Sequence, residues 1–127
     1  MKIEYKDGLL FTEIVIGFNG QKKVINNVVI DTGASHTLIS QDEVDDIGIK
    51  VTVEDDIIAS FGIGGKEHAF TKTIQSIAIG DSTLRNVSLD FTSFKYHNIN
   101  GLLDLDILVN GKFHIDLGVG ARNTTIR

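Results

Sequence analysis

Polar and apolar residues alternate in short runs along this chain, and turn-forming residues separate the runs. Leu10 to Phe18 is rich in β-formers and stops at Asn19-Gly20, the strongest two-residue hairpin signal. Lys22 to Ile30 returns from that turn, with Asn26-Asn27 marking a bulge or bend. Thr37-Leu38-Ile39 leads into Ser40-Gln41-Asp42-Glu43, a capping box in which Ser40 and Glu43 would satisfy each other's free amides. Gly48 is placed to end that short helix. Lys50 to Phe61 and Ala69 to Ile79 read as strands around a glycine-rich tip, Gly62-Ile63-Gly64-Gly65. Gly80-Asp81-Ser82 turns the chain into Thr83 to Thr92. Leu102 to Val109 has helical spacing and stops at Asn110-Gly111, and Phe113 to Leu117 forms a closing pair with Asn123 to Arg127. This pattern predicts an all-β domain, a sandwich or a barrel, with two short helices.

A weak internal repeat adds to the picture. Ile14-Val15-Ile16-Gly17 runs on to Asn27-Val28-Val29-Ile30-Asp31, and Ile77-Ala78-Ile79-Gly80 runs on to Asn86-Val87-Ser88-Leu89-Asp90. Both read I-x-I-G, a turn, then N-V-x-(I/L)-D, which predicts one supersecondary unit used twice about a pseudo-twofold axis. Asp90 is followed by Phe91-Thr92, so the second copy is not expected to repeat whatever Asp31 does.

Composition narrows the function. A chain of 127 residues, 42% hydrophobic, is expected to be one domain over 1–127 with a core of its own. Its net charge of −5 argues against nucleic acid, which needs a basic footprint. The absence of cysteine excludes disulfides, thiolate metal sites and cysteine nucleophiles. The stretch Met1 to Asp7 is charged and lacks the apolar core of a signal peptide, and no segment reaches the length of a membrane span. Together these point to a cytoplasmic protein that binds no membrane. His36, His68, His97 and His114 lack metal-ligand spacing, so neither a metal nor another cofactor is expected.

The chemistry concentrates at Val28-Val29-Ile30-Asp31-Thr32-Gly33-Ala34-Ser35, where a buried-type strand ends on a carboxylate followed by small residues. Strands rarely end this way for packing, because a buried ionised Asp is costly unless paired. One alternative is an Asx turn, in which Asp31 only bonds its own backbone.

Asp31-Thr32-Gly33-Ala34-Ser35 resembles the active-site loop of the retropepsin-like aspartic proteases, and Ser60-Phe61-Gly62-Ile63-Gly64-Gly65 resembles their flap. Gly101 to Leu108 is similar to their second hydrophobic-hydrophobic-Gly segment and the helix after it. The resemblance covers nearly the whole chain, in the family's order. It implies a small closed β-barrel with a β-hairpin flap, a homodimer that completes the site, and hydrolysis of peptide bonds in a peptide or protein substrate. On this resemblance Asp31 is the catalytic residue, and Thr32, Gly33, Ala34 and Ser35 complete its loop. Phe61, Gly62, Ile63, Gly64 and Gly65 form the flap over the substrate, and Leu102, Leu103 and Asp104 form the second apolar segment. A terminal strand such as Thr124 to Arg127 is available to pair between subunits. The family usually has Gly where this chain has Asp104. That Asp is a natural cap for the helix after it, and also a third carboxylate near the dyad.

One such loop per chain implies two chains. Attack of water on an amide needs a base for the water and an acid for the carbonyl oxygen. Two carboxylates about 3 Å apart at an effective dielectric near 20 repel by roughly 5 kcal/mol when both are charged. One therefore keeps its proton, the arrangement on which aspartic proteases run. A single Asp31 meets its equivalent only across a twofold axis. Two other readings remain: a catalytically weak or inactive module on the same fold that binds peptides or mediates dimerisation, and an all-β module for another ligand. With no Trp and two Tyr, the chain has few rings on which a sugar would stack.

Overall fold

Two dipeptides organise the first third of the chain. Asp7-Gly8 and Asn19-Gly20 hold positive φ at all four residues (54°, 79°, 53° and 73°), the twist that joins adjacent antiparallel strands through two residues. They connect β1 (Lys2–Lys6), β2 (Leu9–Phe18) and β3 (Gln21–Ile30). β1 is not expected from the sequence: among its described side chains Ile3 is buried, while Glu4, Tyr5 and Lys6 are exposed. The computed structural model describes residues 2–31, 33, 36–55, 57–62, 65–93, 98–104, 107–108, 115–116 and 123–126.

The remaining strands are β4 (Leu38–Ser40), β5 (Ile57–Gly62), β6 (Gly65–Ile79), β7 (Ser82–Thr92), β8 (Gly101–Leu103), β9 (Ile115–Asp116) and β10 (Asn123–Ile126). Their order is β5-β6-β7-β4-β8-β3-β2-β1-β10-β9, and β6 also pairs with β2, which closes a ring through β2, β3, β8, β4, β7 and β6. The expected all-β class is therefore met by a closed sheet. Closure leaves few bare edges among the ring strands.

The ring carries the symmetry expected of the repeat. Val15 pairs with Ala78, the two residues at the variable position of I-x-I-G, so the pseudo-twofold passes between them. Asn27 and Asn86, which open the second half of each copy, both adopt positive φ (58° and 54°). At Asn27 the strand carries the expected bulge: the register runs Thr12↔Val28 and then Ile14↔Ile25. Each unit lends a strand to the other. β4, from the first copy, runs parallel to β7; β8, from the second, runs parallel to β3; and β4 and β8 lie antiparallel between them.

One cluster of fully or nearly fully buried side chains fills the ring, including Ile14, Ile16, Ile25, Val28, Ile39, Ile77, Leu89, Phe91 and Leu103. Phe91 stacks on Phe70 with ring centroids 5.6 Å apart. A second, smaller cluster joins Phe11, Val29, Leu38, Ala69 and Leu102. Full burial of an Ile, Leu or Phe is worth about 1.5–3 kcal/mol, so the ring interior dominates stability.

Four expectations are corrected by the structure. Ser40 stands at the start of α1 (Gln41–Val44) in extended geometry but makes no side-chain cap bond, so the capping box does not form. Its amide is held by the sheet instead, donating to the carbonyl of Asn100 at 2.9 Å. Gly48 does end the helical stretch, at φ 89°. The strand expected from Lys50 begins only at Ile57, because Thr52 and Asp55 close a turn: the Thr52 amide and hydroxyl donate to Asp55 Oδ2 at 2.7 and 3.1 Å. The helix expected from Leu102 is a strand through Leu103, followed by a helical turn at Ile107–Leu108. Leu103 faces the large cluster and Leu102 the small one, so an apolar run buried on both faces imitated helical spacing. Finally, β10 pairs within its own chain on both sides, with β1 and with β9, and so offers no bare edge for pairing between subunits.

The turn before β5 is tied to the ring. Lys72 of β6 forms an ion pair with Asp55 Oδ2 at 3.0 Å and donates to the Lys50 carbonyl at 2.8 Å. The Lys72 ammonium first, and the Thr52 amide second, hold the Asp55 carboxyl below its ordinary value of 3.8. A carboxylate lowered in the native state stabilises it fully above the ordinary value, and this is lost as pH falls through the native one. Urea titrations at about pH 6 and about pH 3 should therefore show a larger fall in midpoint for wild type than for Asp55→Asn. Equal falls would show that Asp55 adds nothing to acid sensitivity.

Candidate active site

Asp31 is the first residue beyond β3, preceded by the buried Val28 and Val29. The hairpin partner β2 has already parted from β3 there, since the register with it ends at Phe11↔Val29. Its amide is held from the other side: it donates to the Leu103 carbonyl at 2.9 Å, one step beyond the Ile30↔Leu103 pair. The backbone of Asp31 thus continues the parallel pairing while its side chain, half-buried, leaves the sheet.

The carboxylate is held locally. Gly33 donates its amide to Asp31 Oδ1 at 3.0 Å, which is the Asx-type contact set out above as an alternative. Among the described residues Oδ2 takes no hydrogen bond. The contact fixes the orientation of the carboxyl and leaves Oδ2 without a partner among the described residues. Gly33 is exposed, as is His36. Thr32, Ala34 and Ser35 lie outside the described residues.

Asp104 comes to the same corner of the sheet as Asp31. Ile30 and Leu103 are the last pair of two parallel strands, and Asp31 and Asp104 are the residues that follow them. Asp104 is only 5% exposed. Its carbonyl accepts the amides of Ile107 and Leu108, each at 3.2 Å, which is the backbone half of a helix cap. Its amide donates to the Thr37 hydroxyl at 3.0 Å. Its Oδ1 is buried and has no hydrogen-bond partner. Thr37, 1% exposed, is expected from the sequence only to open a strand. The only signal was a hydroxyl residue at the head of the apolar pair Leu38-Ile39.

The second copy of the repeat is built differently. Asp90, the counterpart of Asp31, is 7% exposed, and its Oδ1 accepts the Thr71 hydroxyl at 2.8 Å. A buried carboxylate satisfied in this way is structural.

Phe61, Gly62 and Gly65 lie on the β5–β6 hairpin, whose register runs from Ile57↔Phe70 to Gly62↔Gly65. Ile63 and Gly64, at its tip, lie outside the described residues. A cleft of about 370 Å³ opens elsewhere, lined by Gln41, Asp45, Lys50, Val51, Ile57, Ala69, Phe70, Phe91, Thr92 and Ser93, and includes none of Asp31, Leu102 or Asp104. Among the described residues no group of His, Asp and Glu is arranged to hold a metal ion, and no helix is long and apolar enough to cross a membrane.

Comparison with protein families matches residues 14–107 to a model described as aspartyl protease. That span runs from the first I-x-I-G to the helical turn after Asp104. The fold is similar to that of a solved retropepsin-like aspartic protease from Rickettsia conorii, at a TM-score of 0.66 and 19% identity, covering 99% of this chain and 88% of that one. No curated protein matches the chain.

The buried, unpartnered oxygen of Asp104 carries a consequence for stability. Asp104→Ala removes the acceptor that lacks a partner and keeps the backbone bonds to Ile107 and Leu108, so it should hold stability or raise it by about 1 kcal/mol. Thermal melts of the two proteins measure this; a clearly lower melting temperature for Asp104→Ala would show that the side chain is satisfied in the folded chain.

Proposed function

The chain belongs to the aspartyl protease family, and on that premise we propose that it is an endopeptidase whose active site forms between two copies. The observation that carries this reading is Asp31 itself: half-buried at a strand end, with Oδ1 fixed by the Gly33 amide and Oδ2 without a partner among the described residues. The other repeat supplies no second such group, because Asp90 is buried against Thr71. The partner carboxylate therefore comes from a second chain, related by a twofold axis.

The two Asp31 residues share one proton. The ionised carboxylate takes a proton from a water molecule as its oxygen attacks the scissile carbonyl carbon. The protonated carboxyl gives its proton to the carbonyl oxygen, which avoids a free oxyanion. In the breakdown of the gem-diol the protonated carboxyl gives its proton to the leaving amine nitrogen as the C–N bond breaks, and the other carboxylate takes a hydroxyl proton from the diol, which restores the shared-proton state. The substrate is an extended peptide, and the β5–β6 hairpin acts as a flap that closes over it and excludes water. Gly33 and the small residues around it leave room for the peptide backbone.

One observation favours a second reading, a module that binds peptides or dimerises without turnover. It is the buried Asp104, which follows Leu103 as Asp31 follows Ile30 and so adds a further carboxyl group to the same corner of the sheet.

Asp31→Asn should lower peptide cleavage by at least about 100-fold, with the melting temperature and dimerisation retained. Cleavage of a peptide library followed by mass spectrometry, from acid to neutral pH, measures it, with sedimentation reporting the dimer. Full activity in Asp31→Asn would end this mechanism. Peptide binding without cleavage by the wild-type protein would establish the second reading.

A further inference from the structure

Thr37 is 1% exposed, yet its hydroxyl and its carbonyl are both engaged. The carbonyl accepts the Asp90 amide at 3.4 Å, just as the Leu103 carbonyl accepts the Asp31 amide at 2.9 Å, so Thr37 and Leu103 are equivalent across the pseudo-twofold. The side chains break that equivalence. Thr37 Oγ1 takes the Asp104 amide at 3.0 Å across the axis, a bond that Leu103 has no means to return. We propose that Thr37 is a positioning residue for Asp31, acting through Asp104 and Leu103. This rests on reading Asp31 as the catalytic group.

The argument is one of backbone accounting. β8 is three residues long, and the Leu103 carbonyl at its end is what holds the Asp31 amide. Beyond Leu103 the chain leaves the sheet and turns toward the helical residues Ile107–Leu108. A buried amide at that departure point needs a partner, and the Thr37 hydroxyl is the partner. A valine would fill the same volume without it. The Asp104 amide would then be unpaired, and the Leu103–Asp104 peptide would be free to rotate away from Asp31. Small misplacement of a catalytic group lowers the rate of the chemical step far more than it lowers substrate binding.

Three variants test this: Thr37→Val, Thr37→Ser and Ile39→Val. The last thins the core two residues further on without removing a side-chain hydrogen bond, since Ile39 is an apolar side chain fully buried in β4. Thr37→Val is expected to lower kcat by about tenfold or more with KM little changed. Thr37→Ser should restore kcat, and Ile39→Val should keep it although its unfolding midpoint falls. Unchanged kcat in Thr37→Val, an equal loss in Ile39→Val, or no rescue by Thr37→Ser would each overturn the proposal. If the wild-type protein cleaves no peptide, the catalytic reading fails on its own account and amide hydrogen exchange decides instead. Faster exchange at Asp31 and Asp104 in Thr37→Val than in Ile39→Val then supports the positioning role, and equal exchange overturns it. Should Thr37→Val not fold, Thr37→Ser alone is decisive: wild-type kcat supports the role, and lost kcat refutes it.

Discussion

The insertion of β8 between β3 and β4 is the constraint on which the Asp31 corner depends. A carboxylate at a strand end needs its backbone held while its side chain is let go. The hairpin partner cannot do the holding, because β2 separates from β3 at Val29. A parallel neighbour can, since its carbonyls extend one step further, and Leu103 provides that step. Asn100 secures the start of the same segment. Its amide donates to the Asn27 carbonyl at 2.9 Å and its side chain to the Asn26 carbonyl at 2.9 Å, so the bulge in β3 becomes the socket for β8.

Much of this was legible in the sequence because it rests on short-range rules. Asn19-Gly20 can turn a chain in few ways, and the Asn27 bulge was marked by two successive residues that tolerate positive φ. Asp7-Gly8 carries an equal turn signal, but the charged residues before it give little sign of a strand. Asp31 was legible as a residue out of keeping with its strand. What was illegible came from long-range pairing. Gly101-Leu102-Leu103 joins a sheet only because β3 and β4, far back in the chain, leave a slot between them. Thr37 acquires its role from the same slot. Ser40 and Glu43 matched a capping pattern, but the pattern was overruled once the Ser40 amide went to the sheet.

Three aspartates mark how one side chain is used in three ways by its surroundings. Asp31 has one oxygen tethered and the other without a partner among the described residues; Asp90 is buried and satisfied by Thr71; Asp104 is buried with an oxygen unmatched. A duplicated unit can supply both of the first two from the same position. Burial of the second copy's carboxylate converts it from a reactive group into part of the frame. The asymmetry leaves the two repeats unequal at the same position, and on the proposed reading the second carboxylate comes from another chain.

The exchange of strands between the two repeats also bears on how the chain reaches this state. Neither repeat can complete its own sheet: β3 waits for β8, and β7 takes β4. Partners so distant in sequence close large loops, which slows folding and leaves the first repeat with unpaired edges in the interim. On a ribosome, the Asp31 backbone finds its acceptor only after Leu103 has emerged. The acidic corner therefore takes shape late in synthesis, and a chain cut short in its second half carries the loop without the support that orients it.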